Sequence, residues 1–237
     1  MTMRSNDDRP LADWVAPPRP NAEVLEGQYV RLERLAPDLH AADLQRANSA
    51  NDAIWDYLPY GPFASVAAYH KWASEVTQGS DPLFYAIKPH ATGQFGGVAS
   101  YLRISPEVGS IEVGHINFAP ELQRSVAATE AIFLMMEWAF EAGYRRFEWK
   151  CDAANMGSRR AAQRYGFSYE GIFRQASIVK GRNRDTAWFA CIDAEWPALK
   201  EAFTAWLSLS NFGADGKQME RLGTLTAPIR VTSDPSL

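Results

Sequence analysis

The chain has 237 residues, of which 46% are hydrophobic and 22% charged, and its formal net charge is −4. That length fits one sizeable core with terminal extensions, and the composition excludes charge-rich disorder. The negative balance argues against broad attraction to nucleic acid or an anionic membrane, which leaves small-molecule or protein substrates as the expected partners.

Residues 1–25 carry Pro10, Pro17, Pro18 and Pro20 and read as an irregular arm, with Trp14 and Val15 free to dock on a surface. The same stretch is acidic and proline-rich where an export signal needs a basic segment and then an apolar run, so a cytoplasmic location is expected. After Gly27, residues 29–35 alternate apolar and polar side chains and predict a first strand. Pro37 and Asp38 open a helix over 39–47, and a second helix follows the Pro59–Pro62 turn with Ser65 as its cap. Residues 83–87, 97–104 and 110–118 are β-rich and separated by turn residues, giving strands two to four as a meander.

The stretch 129–141 is apolar all round with Gly143 as a stop, which predicts a helix packed deeply on a sheet. It is too short to cross a bilayer. A fifth strand over 146–151 and a helix over 155–165, capped by Asn155 and ended by Gly166, follow. Two strands, 168–179 and 186–192, flank the turn-like stretch 180–185, and a helix from 193 to 207 carries Pro197 in its first turn. The tail, 209–237, shows no sustained periodicity. Cys151 and Cys191 sit in apolar strand-like runs, with no CxxC pair and no His at ligand spacing, so no metal is expected and both thiols read as buried and free. The element order β-α-α-β-β-β-α-β-α-β-β-α describes a single α/β (α+β) domain over 26–208, with a mixed, mostly antiparallel sheet of about seven strands and helices on both faces.

Between the fourth strand and the central helix lies Gln123-Arg124-Ser125-Val126-Ala127-Ala128-Thr129. A strand-to-helix turn exposes unpaired N–H groups and the positive end of the helix dipole, and small residues such as Ala127 and Ala128 let a phosphate approach the backbone. Gln123-x-x-Val126-x-Ala128 resembles the pyrophosphate-binding signature of the GNAT acetyltransferases. Glu112-Val113-Gly114 upstream, with Asn155-x-x-Ser158 and Gly166-Phe167-x-x-Glu170-Gly171 downstream, resembles the RimJ/RimL branch of that family in register over roughly 27–194. The signature has glycine where this chain has Val126, a β-branched residue that cannot take a positive φ, so a narrower or differently turned loop is expected.

The resemblance implies acetyl-CoA as cosubstrate, bound by Gln123, Arg124, Val126, Ala127, Ala128, Thr129 and Asn155. It also implies a sheet splayed between the fourth and fifth strands, where the pantetheine arm pairs with the fourth strand near Asn117 and Phe118. The reaction implied is acetyl transfer to a primary amine, on a protein N-terminus or a small amine, by direct attack in a ternary complex. A small-molecule or amino-acid acetyltransferase and a noncatalytic acyl-CoA-binding module are the alternatives, and a homodimer is compatible with any of them.

Such transfer needs a neutral amine, support for an oxyanion and a proton for the leaving thiolate. Glu112 is the first candidate base, provided that it faces the acceptor cleft and is not an exposed residue paired with a cation. His115, three residues on, points to the opposite face of a regular strand and reads as a packing residue unless a bulge intervenes. Ser158 is the implied proton donor, with a backbone-bonding helix serine as the alternative. Tyr165 reads as core. Arg159, Arg160 and Arg164 read as one basic helical face, and Trp55, Tyr57, Tyr60 and Phe63 as a pocket wall or core.

Overall fold

The computed structural model describes residues 11–237; the part of the expected arm before Leu11 lies outside them. Eight strands form one sheet: β1 (Val24–Glu26), β2 (Val30–Arg34), β3 (Leu83–Pro89), β4 (Gly97–Ser105), β5 (Ser110–Phe118), β6 (Arg146–Asp152), β7 (Ser168–Val179) and β8 (Arg182–Ile192). Their order is β1-β2-β3-β4-β5-β6-β8-β7, and every pairing is antiparallel except β5 with β6. The mixed sheet is therefore as expected, with β1 added: Glu130 accepts the backbone N–H groups of Gln28 and Tyr29, and so fixes the β1–β2 turn. A Cβ on Gly27 would come 2.5 Å from that carboxylate, so a side chain there would push Glu130 off the N–H groups it accepts.

Helices α1 (Pro37–Asn48) and α2 (Val66–Val76) cover one face, with α2 capped as expected by Ser65 Oγ on Ala68 N at 3.2 Å. They bury Leu44, Trp55, Tyr69 and Trp72 against Phe84, Ala86 and Val98 of the sheet. The other face carries α3 (Val126–Glu141), α4 (Met156–Arg164) and α5 (Trp196–Leu207). Eleven of the sixteen residues of α3 are buried, which makes it the central helix. Each large apolar side chain buried there contributes about 1.5–3 kcal/mol relative to exposure.

Three local features differ from the sequence reading. Helix α3 starts at Val126, three residues early, because Ser125 caps it through Oγ on Ala128 N at 3.0 Å. The β7–β8 turn shrinks to Lys180-Gly181, both at positive φ, because the polar residues 182–185 continue β8. The segment after α5 forms a bridge between Phe212 and Gln218 and a short helix α6 (Leu222–Thr226), then runs along α4 and β7 to the C-terminus. Its backbone and side chains bond to Gln163, Arg164, Ser168 and Tyr169. At the other end, Tyr85 and Tyr144 hydroxyls donate to the carbonyls of Ala22 and Pro18, and Trp14 lies beneath the Arg145 guanidinium, while Val15 stays exposed.

Candidate active site

The parallel β5–β6 ladder runs from Ser110–Arg146 to Val113–Trp149 and stops. Beyond it β5 stays paired with β4 as far as Phe118, and β6 with β8 as far as Asp152, so the two strands part and a cleft of about 1160 Å³ opens between them. Eight arginines and lysines line this cleft against two carboxylates, Glu112 and Asp152, in a protein whose net charge is negative. That imbalance marks a site for an anionic ligand.

At one end the cleft meets the start of α3. Ser125 occupies the N–H of Ala128, and its carbonyl takes that of Thr129, so the N–H groups of Val126 and Ala127 remain for an external acceptor. The left-handed residue of this turn is Arg124, at φ +60°, whereas Val126 is the first helical residue. The glycine that the signature expects is thus unnecessary, because the turn takes its positive φ two residues earlier. Gln123, Arg124, Val126 and Ala128 line the cleft, with the Gln123 amide also donating to Phe118 O at 2.9 Å. The Ala127 and Thr129 side chains turn inward instead. Arg164, the last residue of α4, donates to Thr129 Oγ1 at 3.1 Å and lies 4.9 Å from the Trp206 ring centroid. It has no carboxylate partner among the described residues, and burial pulls its guanidinium below the ordinary value. Arg160, Lys217 and Arg221 complete this cationic end. The cradle fits a pyrophosphate: small residues, free N–H groups and several cations converge there, of which Lys217 is paired with Asp215 and Arg164 has no carboxylate partner among the described residues.

The basic face expected on α4 is divided. Arg160 and Arg164 line the cleft, but Arg159 is buried and bound to Asp234. Lys217 and Arg221 were missed because nothing local marks them; they reach the cleft only because the C-terminal segment folds back over α4.

In the middle, Asn155 caps α4 through Oδ1 on Ser158 N at 3.0 Å, and the Trp149 indole donates to Ser158 Oγ at 2.9 Å. The indole takes one acceptor site of the serine oxygen, and the hydroxyl also hydrogen-bonds the Cys151 thiol on the cleft side. Cys151 lies beside it; burial pushes its thiol up to about 11, so it stays protonated. Tyr165 is core, 6% exposed.

At the other end Glu112 is 2% exposed and ion-paired with Arg103 Nη1 at 2.8 Å and Lys150 Nζ at 2.9 Å. Burial raises its pKa against the pull of both cations. A Cβ on Gly114 would come 2.9 Å from Leu102 Cδ2 and 3.4 Å from Glu112 Oε1, so a side chain there would displace the Leu102 tip beside the carboxylate. The strand then bulges: Gly114 pairs with Ser100 and Asn117 with Val98, so His115 and Ile116 together oppose Ala99, with His115 at φ +50°. The extra residue returns His115 to the face of Glu112, where its ring stacks on Tyr60 at 5.6 Å and tilts against Phe84 at 5.2 Å. The opposite faces expected of a regular strand do not hold, because the bulge named as the alternative is present, and His115 packs among aromatic rings. Burial, with Arg103 and Arg184 nearby, pushes His115 down to about 4, so it is neutral near pH 7.

Among the expected binding residues, Phe118 and Asn155 line the cleft, whereas Asn117 is buried with neither amide atom hydrogen-bonded among the described residues. Trp55 and Phe63 belong to the core beneath α1 and α2, and Tyr57, with Ile54 and Leu58, forms the cleft wall. Among the described residues no His/Cys/Asp/Glu group could hold a metal, and no helix is long and apolar enough to cross a membrane.

A family profile for an acetyltransferase (GNAT) domain matches residues 30–168, more than half of the chain. A GCN5-related N-acetyltransferase from Brucella melitensis superposes with a TM-score of 0.89 at 44% identity, covering 91% of this chain and 99% of its own. A probable acetyltransferase of the GNAT family from Chromobacterium violaceum ATCC 12472 gives a TM-score of 0.77 at 39% identity, over 84% and 100%. RimL, the ribosomal L7/L12 alpha-N-protein acetyltransferase, shares the fold at 22% identity with a TM-score of 0.62, over 72% and 94%. No curated protein matches the chain. The chain belongs to the GNAT acetyltransferase family, enzymes that draw their acetyl group from acetyl-CoA.

Proposed function

We propose that this protein transfers the acetyl group of acetyl-CoA to a primary amine by direct attack in a ternary complex. The observation that carries the reading is the end of the β5–β6 ladder at Val113 and Trp149, which opens the sheet beside a buried carboxylate and a donor serine. The free edge of β5 from Gly114 to Phe118 offers the pantetheine arm a strand to pair with, and its backbone N–H groups can support the oxyanion. Val126 and Ala127 hold the pyrophosphate through their backbone N–H groups, and Gln123 and Arg124 through their side chains. Ala128 leaves room for its approach, and Thr129 positions Arg164, which is added to the expected set. Asn155 shapes the turn beside the thioester.

An amine arrives protonated and must lose its proton. Glu112 takes it, directly or through a water, and its burial makes it a stronger base than an exposed carboxylate. Ser158 returns a proton to the leaving thiolate, with Trp149 orienting its oxygen. Support for a RimJ/RimL-like enzyme comes from Glu112-Val113-Gly114, Asn155-x-x-Ser158 and Gly166-Phe167-x-x-Glu170-Gly171, and a cytoplasmic location fits two buried free thiols.

The test is thiol release from acetyl-CoA across amino acids, polyamines and peptides, with the acetylated product identified by mass. Initial-rate lines that intersect when both substrates are varied are expected. Parallel lines would reject direct attack, and acetyl-CoA binding without turnover on any amine would reject catalysis in favour of a binding module.

A further inference from the structure

Arg184 has no part in the chemistry above. It lines the cleft, yet among the described residues its Nε is buried without a hydrogen-bond partner and its guanidinium forms no ion pair. Alternation along β8 puts Arg184 on the face of Thr186 and Trp188, and Trp188 pairs across the sheet with Lys150, the partner of Glu112. This is the face opposite α3, so Arg184 stands away from the pyrophosphate cradle and beside the acceptor half of the cleft. The hairpin that carries it is anchored: Lys180 Nζ donates to Trp55 O at 2.9 Å, joining the hairpin tip to the segment whose Ala53, Ile54 and Tyr57 line that same half.

The carboxylates near Arg184 are engaged elsewhere. Asp185 Oδ1 accepts from Gln175 N and Asn183 Nδ2, and Asp152 Oδ1 accepts from Ala154 N. Glu112 is shared between Arg103 and Lys150. An arginine fork matches a carboxylate in a two-point bond, and a desolvated guanidinium nitrogen without a partner is costly unless a ligand supplies one. A bare ammonium acceptor would meet Arg103, Lys150 and Arg184 together, and a carboxylate on the same molecule offsets that repulsion.

We propose that Arg184 reads a carboxylate on the acceptor, so that the substrate is an amine whose carrier also bears a carboxylate. The inference rests on the acetyl-transfer reading for its chemistry but on Arg184 alone for its recognition. The source of the carboxylate, a free amino acid or a peptide with an acidic side chain, is separated by the arms of the test.

The experiment compares kcat/KM for free amino acids against their amides, and for short peptides with Asp against Asn in second position, in the parent protein and in Arg184→Met, Arg184→Lys and Arg184→Glu. The acid-to-neutral ratio in one arm is expected at roughly tenfold or more in the parent, near unity in Arg184→Met, partly restored in Arg184→Lys and below unity in Arg184→Glu. A parent ratio near unity in both arms, or a ratio that Arg184→Met leaves unchanged, overturns the proposal. Calorimetric binding of the same acids to the CoA-loaded protein is measured in parallel. If no amine is acetylated but acid binding is lost in Arg184→Met, the transfer reading fails and recognition by Arg184 stands; if no acid binds or reacts, the proposal falls.

Discussion

Arg159 and Asp234, 75 residues apart in sequence, are joined by two hydrogen bonds of 2.6 Å, Nε to Oδ2 and Nη2 to Oδ1, with both side chains at most 5% exposed. The pair fastens the C-terminal segment to α4, the helix whose first turn carries Ser158. That segment also brings Lys217 and Arg221 to the cleft. Removing one partner strands the other charge in a dry site, so Asp234→Ala should cost about 3–5 kcal/mol. Replacing both residues by apolar ones of similar size should cost far less. Denaturant unfolding of the single and double variants checks this.

The second prediction concerns the coenzyme end. Arg164 lies against the α3 N-terminus, bonded to Thr129 Oγ1 and beside the Tyr165 hydroxyl, with no carboxylate to neutralise it among the described residues. Arg164→Gln should weaken acetyl-CoA binding by roughly tenfold to a hundredfold, the worth of a charge-assisted hydrogen bond. It should also flatten the salt dependence of binding. Calorimetry at two ionic strengths measures both effects, and equal affinities would remove Arg164 from the site.

His115 makes stability depend on pH. Its pKa is pushed from the ordinary 6.5 to about 4, so the unfolded chain binds a proton that the folded chain refuses. Stability should therefore fall as pH drops from about 6.5 to about 4, by about 3 kcal/mol at about 1.4 kcal/mol per pH unit, and fall no further on this account below that. His40, also lowered by burial, adds a slope of the same sign, and Glu112, raised by burial, opposes both above the ordinary carboxylate value, where the folded chain holds a proton that the unfolded chain has lost. Denaturant titrations of His115→Phe should show a shallower loss across the same window.

Cys151 lies in the cleft beside Ser158, but its thiol is raised to about 11 and the protonated form is a poor nucleophile. No acetyl group should accumulate on the protein. Intact mass measured after acetyl-CoA is added without acceptor should equal that of the untreated protein, and an acetylated Cys151 would replace direct attack with a two-step route.

The features legible in the sequence were those fixed by local chemistry. Ser65 and Asn155 cap their helices as expected, and the apolar alternation located most of the strands. What escaped depends on contacts distant in sequence or on backbone choices without a glycine to mark them. The bulge sits on His115, and Arg124 takes the left-handed turn that glycine usually takes. The chain alone puts His115 on the face opposite Glu112 unless the strand bulges, and Val126 predicts a differently turned loop without showing which residue takes the turn. Arg159 resembles its neighbours on α4 until Asp234 arrives from the far end of the chain.

The central claim is that Glu112 serves the reaction and not merely the ion pairs with Arg103 and Lys150. The direct measurement is steady-state turnover of Glu112→Gln beside calorimetric acetyl-CoA affinity, with Lys150→Met as the control that breaks one ion pair and leaves the carboxylate in place. Turnover of Glu112→Gln should fall by roughly a hundredfold or more while acetyl-CoA affinity stays within a few fold, in line with loss of a general base. Turnover equal to the parent, or a loss matched by Lys150→Met with acetyl-CoA binding lost in both, would contradict the account.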